Sequence, residues 1–314
     1  MPKGKIRVSV VNFEAKWGDK AKNLEKMARY IESAQGSDLI VFPESALTGY
    51  DNIVDTPKSE KMQIRVAETI PGPSAEKILQ LAREHDMIVV FGMCERDPRD
   101  TGDPGDPDTV YNTAVMARPD GGLFSYRKIH LPDDEGSWAT PGDRLVAFDT
   151  DWGPVGISIC YDTYTFPELV RYARAKGARL HINCTACCSE LWDNVPFRAM
   201  LEEKTLTNQI YVATAGLCGK GERLEYIGGS SIIGTAEDSK KTVKYYAGVP
   251  FGEPGADLEA MYTADLDLDA IDKRFKNPMF EHNPYTGKPD FAPEIYARAY
   301  AELAESEEWK RKIY

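Results

Sequence analysis

The sequence predicts a layered protein of the α/β (α+β) class, with sheets covered by helices. Three observations carry this. Apolar, β-rich runs alternate with segments of helical periodicity, and they do so twice along the chain. Hairpin signals, not long linkers, separate the alternating stretches. The 314 residues are 42% hydrophobic, enough apolar side chain for a substantial core.

The elements follow in order. Residues 6–13 are apolar and β-rich and are expected to form a strand. Residues 20–34 place Leu24, Met27, Ala28 and Ile31 at helical spacing, which predicts an amphipathic helix. Residues 38–42 form a short buried strand that ends at Pro43 and Glu44. A second helix is expected over 73–85, with Ile78, Leu79 and Leu81 as its core stripe, then a strand over 87–94. The stretch 96–108 is rich in Asp, Pro and Gly and predicts an exposed loop. Strands over 111–118 and 123–128 are joined by Pro119-Asp120-Gly121-Gly122, a hairpin signal.

The second half has the same style. Strands are expected over 155–160, 178–183 and 210–215, and helices over 166–176 and 196–208. Thr165 and Glu168 fit a capping box that starts the first of these helices. Residues 230–234 and 242–247 read as another hairpin, 262–267 as a strand, followed by a short helix to residue 275. The remainder carries Pro and Asn and a helical pattern over 294–307. No linker, low-complexity segment or internal repeat is evident. One domain over residues 1–275 is expected, with an extension over 276–314. An extension of this length commonly wraps a partner subunit, so a homodimer or larger homo-oligomer is expected.

The formal net charge of -12 argues against a chain whose main partner is nucleic acid or an anionic membrane. The first apolar run is too short for a secretory core, and no small-residue cleavage site follows it. No stretch approaches the apolar length of a membrane span, so a cytoplasmic location is expected. In that setting the six cysteines are expected to be free thiols. Cys184, Cys187, Cys188 and His181 read either as a zinc site or as small buried residues following a strand. A closed zinc site needs four ligands, and the second reading is preferred. No metal and no cofactor is expected.

Three segments are apolar strands that each end on a chemically capable side chain. Residues 38–43 deliver Glu44, residues 123–127 deliver Lys128, and residues 156–159 deliver Cys160. Strand ends in such folds converge on ligand crevices. A carboxylate, an ammonium and a thiol meeting there make a base, an electrostatic stabiliser and a nucleophile. Each has a plainer alternative. Cys160 would be a small buried hydrophobe, Glu44 a surface carboxylate, and Lys128 half of a solvated pair with Arg127. The three together, each at its own strand end, favour the chemical reading.

These segments resemble the motifs of the nitrilase superfamily of carbon–nitrogen hydrolases. Phe42-Pro43-Glu44 with Thr48-Gly49-Tyr50 is similar to its glutamate motif, and Tyr126-Arg127-Lys128-Ile129-His130-Leu131 to its lysine motif. Cys160-Tyr161-Asp162 with Phe166-Pro167-Glu168 is similar to its cysteine motif. The resemblance implies an α-β-β-α sandwich that forms dimers or larger assemblies. It implies a small amide substrate and a thioester mechanism, with the Tyr161 N–H and Lys128 holding the oxyanion. It also implies a second glutamate before a Pro-Gly-Asp turn. Glu135, ahead of Pro141-Gly142-Asp143, occupies that place and would position the substrate or Glu44. Its surroundings, Asp133-Asp134-Glu135-Gly136, also read as a solvated acidic loop.

The family's pocket segment corresponds here to Cys184 and Thr185, which are expected to contact substrate. Tyr50, Trp138, Tyr164 and Trp192 are candidates for an aromatic wall, with core packing as the alternative. Thr163-Tyr164-Thr165 carries one residue more than the usual motif. Carbamoyl-removing relatives often place arginines there to grip a carboxylate in two-pronged fashion. Thr163 and Tyr164 instead point to a neutral or aromatic acyl group. The rival readings are a nitrile-cleaving enzyme, an N-carbamoyl amidohydrolase, a non-catalytic binding protein on the same fold, and a thiol-redox or metal protein.

Overall fold

The computed structural model describes residues 3–53, 55–97, 109–192, 195–236, 242–274 and 283–306. Most of the loop expected over 96–108, and the side chain of Trp192, lie outside the described residues. The chain divides into two compact units, Met1–Ile271 and Asp272–Tyr314.

The larger unit begins with β1 (Lys5–Asn12), α1 (Lys20–Ser33), β2 (Leu39–Val41), α2 (Met62–Val66), α3 (Pro73–Glu84), β3 (Ile88–Arg96), β4 (Val110–Ala117) and β5 (Leu123–Arg127). It continues with β6 (Ala147–Thr150), β7 (Gly153–Ile159), α4 (Tyr161–Thr165), α5 (Pro167–Ala175), β8 (Leu180–Thr185), α6 (Ser189–Trp192), α7 (Phe197–Asn208) and β9 (Tyr211–Gly216). It closes with β10 (Cys218–Lys220), β11 (Glu225–Ile227), β12 (Ser231–Thr235), β13 (Val243–Gly248) and β14 (Ala260–Asp267). Helix α8 (Leu268–Arg274) follows, and α9 (Pro293–Glu305) lies in the second unit.

Two six-stranded sheets form the interior, in the orders β14-β1-β2-β3-β4-β5 and β13-β12-β9-β8-β7-β6. Both follow one scheme. An antiparallel edge strand (β14 or β6) flanks three parallel strands (β1-β2-β3 or β7-β8-β9), and two antiparallel strands (β4-β5 or β12-β13) complete the sheet. A structural repeat is therefore present that no sequence similarity betrayed. Strands β1 and β2 pack on β9, and β4 packs on β7. Helix α3 covers β3 and β4, with α1 against it. Helices α5 and α7 cover the other sheet. The result is the expected α-β-β-α sandwich.

Burial on both faces explains the near-continuous apolar runs of the parallel strands. All residues of β2 and β8 are buried. Helix α1 turns Met27 and Ile31 into the core and is capped by the Asp19 side chain on the Lys22 N–H at 3.2 Å. Helix α9 has no buried residue, and Ile295, Tyr296, Tyr300 and Leu303 are exposed.

The capping box expected at Thr165 does not form. Thr165 is the last residue of α4, and α5 starts at Pro167 with an extended Phe166 (φ -105°, ψ 109°) and no side-chain cap. Pro167 starts the next helix without needing an N–H partner there.

Candidate active site

Glu44 follows β2 on a tight turn laid directly on β3. The Gly92 N–H donates to the Pro43 carbonyl at 3.0 Å, and any Cβ at Gly92 would collide with Pro43 and Ser45 backbone atoms. Lys128 follows β5, and its backbone N–H donates to the Asn112 carbonyl at 2.8 Å. The Gly142 N–H donates to the Lys128 carbonyl at 2.7 Å, and a Cβ at Gly142 would strike the Arg127 carbonyl. Both charged residues are thus fixed through their backbones.

Their side chains meet in a dry cluster with Glu135. Lys128 Nζ lies 2.8 Å from Glu44 Oε1 and 2.6 Å from Glu135 Oε2, with all three side chains fully buried. Asn112 Nδ2 bridges the two carboxylates, donating to Glu44 Oε1 at 2.7 Å and Glu135 Oε1 at 2.6 Å. The Tyr50 hydroxyl donates to Glu135 Oε2 at 3.0 Å. Two oxygens, Glu44 Oε2 and Asn112 Oδ1, are buried and have no hydrogen-bond partner among the described residues. The solvated-loop alternative holds for the neighbours of Glu135 but not for Glu135 itself. Asp133, Asp134 and Gly136 are exposed, but the tight turn Asp133–Ser137 directs Glu135 inward at 0% exposure.

Burial and charge oppose each other here. Burial pushes Glu44 up to about 8 and outweighs the Lys128 ammonium, which lowers it. Glu135 is raised for the same reason. Burial works against the charge on Lys128, but Glu135, Glu44 and Cys160 overcome it and hold the ammonium well above its usual range.

Cys160 follows β7 and caps α4 with φ 48° and ψ -108°, a conformation costly for a residue with a Cβ. Its N–H is tied down, donating to the Cys184 carbonyl at 2.9 Å and to Asn183 Oδ1 at 3.2 Å. Helix α4 begins at the next residue, so Tyr161 carries a first-turn N–H with no intrahelical acceptor. Cys160 as a residue is partly exposed, unlike the five other cysteines, which are buried. A hydrogen bond from Cys187 lowers the Cys160 thiol to about 6; burial opposes this, while Lys128 and Thr185 reinforce it.

Asp162 joins the lysine loop to the nucleophile turn. Buried at 0% exposure, it accepts from the Tyr126 hydroxyl at 2.5 Å, the Ile129 N–H at 3.3 Å and the His130 N–H at 2.9 Å, and faces His130 Nδ1 at 2.7 Å.

The remaining sequence candidates are distributed unevenly. Tyr50 belongs to the cluster through Glu135 and through its ring, 5.7 Å from Lys128 Nζ. Trp138 is a core residue behind it, with its N–H on Asn52 Oδ1 at 2.9 Å. Tyr164 is also core, packed on Phe197 and Phe251, with its hydroxyl on Thr185 Oγ1 at 3.2 Å. Cys184 is buried and reaches Cys160 through its backbone carbonyl. Tyr161 is half-exposed and stands edge-on to Phe166. Thr163 is fully buried, its hydroxyl on Asn183 Oδ1 at 2.8 Å, so neither it nor Tyr164 offers a pocket surface in place of an arginine. Sequence reasoning missed Asn112. Its signal was an amide in the mostly apolar run 110–117, where a buried polar group demands partners. Among the described residues no group of three or more His, Cys, Asp or Glu could hold a metal ion.

Comparison with known proteins finds relatives over most of the chain. The carbon–nitrogen hydrolase family model matches residues 7–237. A nitrilase of Pyrococcus abyssi is 32% identical over 231 residues, covering 72% of this chain and 80% of the relative. An omega-amidase of Xenopus tropicalis is 29% identical over 284 residues, covering 85% of this chain and 90% of the relative. The crystal structure of Saccharomyces cerevisiae Nit3, a member of branch 10 of the nitrilase superfamily, superposes with a TM-score of 0.71 at 26% identity, covering 87% of this chain and 94% of that one.

Proposed function

The chain belongs to the carbon–nitrogen hydrolase family, and from that premise we propose that it cleaves a small linear amide to acid plus ammonia or amine through a thioester on Cys160. One observation carries the reading. A fully buried Glu44–Lys128–Glu135 cluster with one unpartnered carboxylate oxygen lies close enough to Cys160, a partly exposed residue, to influence the charge of its thiol.

The chemistry follows from the two displaced titrations. With Cys160 lowered to about 6 and Glu44 raised to about 8, neutral pH puts the negative charge on sulfur and the proton on Glu44. The thiolate attacks the amide carbon, the C–S bond forms, and the carbonyl electrons move to oxygen. Two of the three Lys128 donors are held by carboxylates, and the third faces the oxyanion together with the Tyr161 N–H. Glu44 passes its proton to the leaving nitrogen as the C–N bond breaks. The resulting carboxylate then takes a proton from water, which attacks the thioester and releases acid and thiolate. Glu135 holds Lys128 and Tyr50 in place.

Relatives named as amidases support the amide, while the relative named nitrilase keeps a nitrile as the second reading. The test is ammonia or amine release by wild type and Cys160→Ala from a panel of primary amides, N-acyl amines, N-carbamoyl compounds and nitriles. Amide turnover by wild type alone is expected. Turnover of nitriles alone would replace the amide reading, and equal turnover by both proteins would remove Cys160 from the chemistry.

A further inference from the structure

Beneath the nucleophile turn runs a chain of polar side chains that the hydrolytic steps leave unused. Strands β7 and β8 are parallel neighbours, with Gly156 beside His181 and Ser158 beside Asn183. Strand alternation sends these residues to one face, where α5 packs. A Cβ at Gly156 would collide there with Ala173 of α5 and with the His181 ring. Ser158, Thr163, His181 and Asn183 are all fully buried. His181 Nε2 lies 2.7 Å from Ser158 Oγ, and Ser158 Oγ lies 2.5 Å from Thr163 Oγ1. The Thr163 hydroxyl donates to Asn183 Oδ1 at 2.8 Å, and the Cys160 N–H donates to the same oxygen at 3.2 Å.

The hydrogens of this chain can be counted. The Cys160 N–H can only donate, so Asn183 turns its oxygen to it and its amide nitrogen to Thr214 Oγ1, at 3.4 Å. Thr163 spends its hydrogen on Asn183, so it accepts from the Ser158 hydroxyl. Ser158 then has only lone pairs left for His181, which donates from Nε2. Burial lowers the His181 ring to about 3, so it is neutral and Nδ1 carries no hydrogen. Nδ1 is buried with no partner among the described residues. Every hydroxyl and ring N–H in the chain therefore points toward the oxygen that holds the Cys160 backbone.

We propose that His181, Ser158, Thr163 and Asn183 are positioning residues, a one-way hydrogen-bond clasp that closes the nucleophile turn and holds Cys160 in the strained conformation that presents its thiol. The proposal rests on the reading of Cys160 as the nucleophile. Ser158 precedes Cys160 and Thr163 follows it, so their contact bridges the turn from beneath. A conformation such as φ 48° and ψ -108° persists only where its surroundings over-determine it. The clasp does so from both flanks of Cys160 and, through Asn183, from its own N–H. The Tyr161 N–H lies inside the same turn, so the thiol and the oxyanion donor are set together.

Thr163→Val breaks the central link, because it keeps the side-chain shape and removes the hydroxyl. Two readouts are taken on the full-length protein below its melting temperature. One is kcat and KM for whichever substrate the wild type hydrolyses. The other is the rate at which iodoacetamide alkylates the fully ionised Cys160 thiol, followed by mass. Alkylation needs no substrate, so failure of the amide reading leaves it standing. Thr163→Val is expected to lower kcat and the alkylation rate by about 10-fold each, the effect of one buried hydrogen bond left unmade, with KM unchanged. Thr163→Ser restores the hydroxyl and is expected to recover both rates. Ser158→Ala should lose as much as Thr163→Val, and it carries the test if that variant fails to fold. Thr205→Val removes a fully buried hydroxyl that donates to the Leu201 carbonyl at 3.3 Å, outside the clasp, and should leave both rates at the wild-type value. A wild-type value of either rate in Thr163→Val and Ser158→Ala would overturn the proposal. Equal losses in Thr205→Val would do the same, since they would mark a general effect of core hydroxyls.

Discussion

Arg127 and Lys128 are chain neighbours at the end of β5, and each is gripped by two carboxylates. Arg127 pairs with Glu95 and Asp97, at 2.7 Å from each, and lies 3.8 Å over the Tyr111 ring. Lys128 pairs with Glu44 and Glu135 at similar distances. The strand alternation sends them to opposite faces. The Arg127 side chain keeps 18% of its surface, whereas Lys128 and both its carboxylates keep none. Arg127 presents a fork that fits carboxylates two at a time. Lys128 sits where Glu44 still has a buried oxygen without a partner. The difference separates an ion cluster around Arg127 from one that leaves a buried carboxylate oxygen without a partner, the place where the proposed mechanism puts the substrate.

Substitutions should widen that contrast. The largest effect belongs to Lys128→Met, which removes the oxyanion cation and leaves two buried carboxylates facing each other. Amide turnover is expected to fall by about 10³-fold, measured as ammonia release. Arg127→Met should change turnover little and lower the melting temperature, with a stability loss below the about 3–5 kcal/mol of a fully buried broken pair. Comparable activity losses in the two variants would erase the distinction.

Asn112→Ala comes next. It removes one amide that serves both glutamates and should cost about 10- to 100-fold in kcat, by the size of a hydrogen bond to a charged group. The upper limb of the pH–rate profile should move with it, since Asn112 lowers Glu44. A loss confined to KM would place Asn112 outside the site's electrostatics. Tyr50→Phe removes a single hydrogen bond to Glu135 and should be the smallest change, about 10-fold or less.

The pH profile sharpens the same point without mutation. Activity needs the Cys160 thiolate, so it should rise as pH passes about 6. It also needs the proton on Glu44, so it should fall as pH passes about 8. In Lys128→Met, iodoacetamide reaction of Cys160 should shift its midpoint upward, because a cation that favours the thiolate has gone. An unchanged midpoint would sever Lys128 from Cys160.

Much of this was legible in the residues. Glu44, Lys128 and Cys160 each close an apolar strand, and strand ends are readable from hydrophobic runs and the punctuation after them. Glu135 was harder to read. Composition reports the exposed Asp133 and Asp134 around it, while the tight turn that selects one carboxylate for burial is a tertiary outcome. Asn112 and Asp162 act across 23 to 68 and 32 to 36 residues of sequence, so only the sheet pairing and the loop packing reveal what they hold. The aromatic candidates divided for a related reason. Trp138 and Tyr164 carry large apolar rings with a polar tip, and the core takes the ring while Asn52 and Thr185 take the tip.

The most direct test of the hydrolytic account is to stop amide turnover with acid in the steady state and weigh the protein. Wild type should carry an added mass equal to the acyl group, mapped to the peptide containing Cys160, and Cys160→Ala should carry none and release no ammonia. Turnover without any adduct on Cys160, or ammonia release persisting in Cys160→Ala, would contradict the thioester and the site built around it.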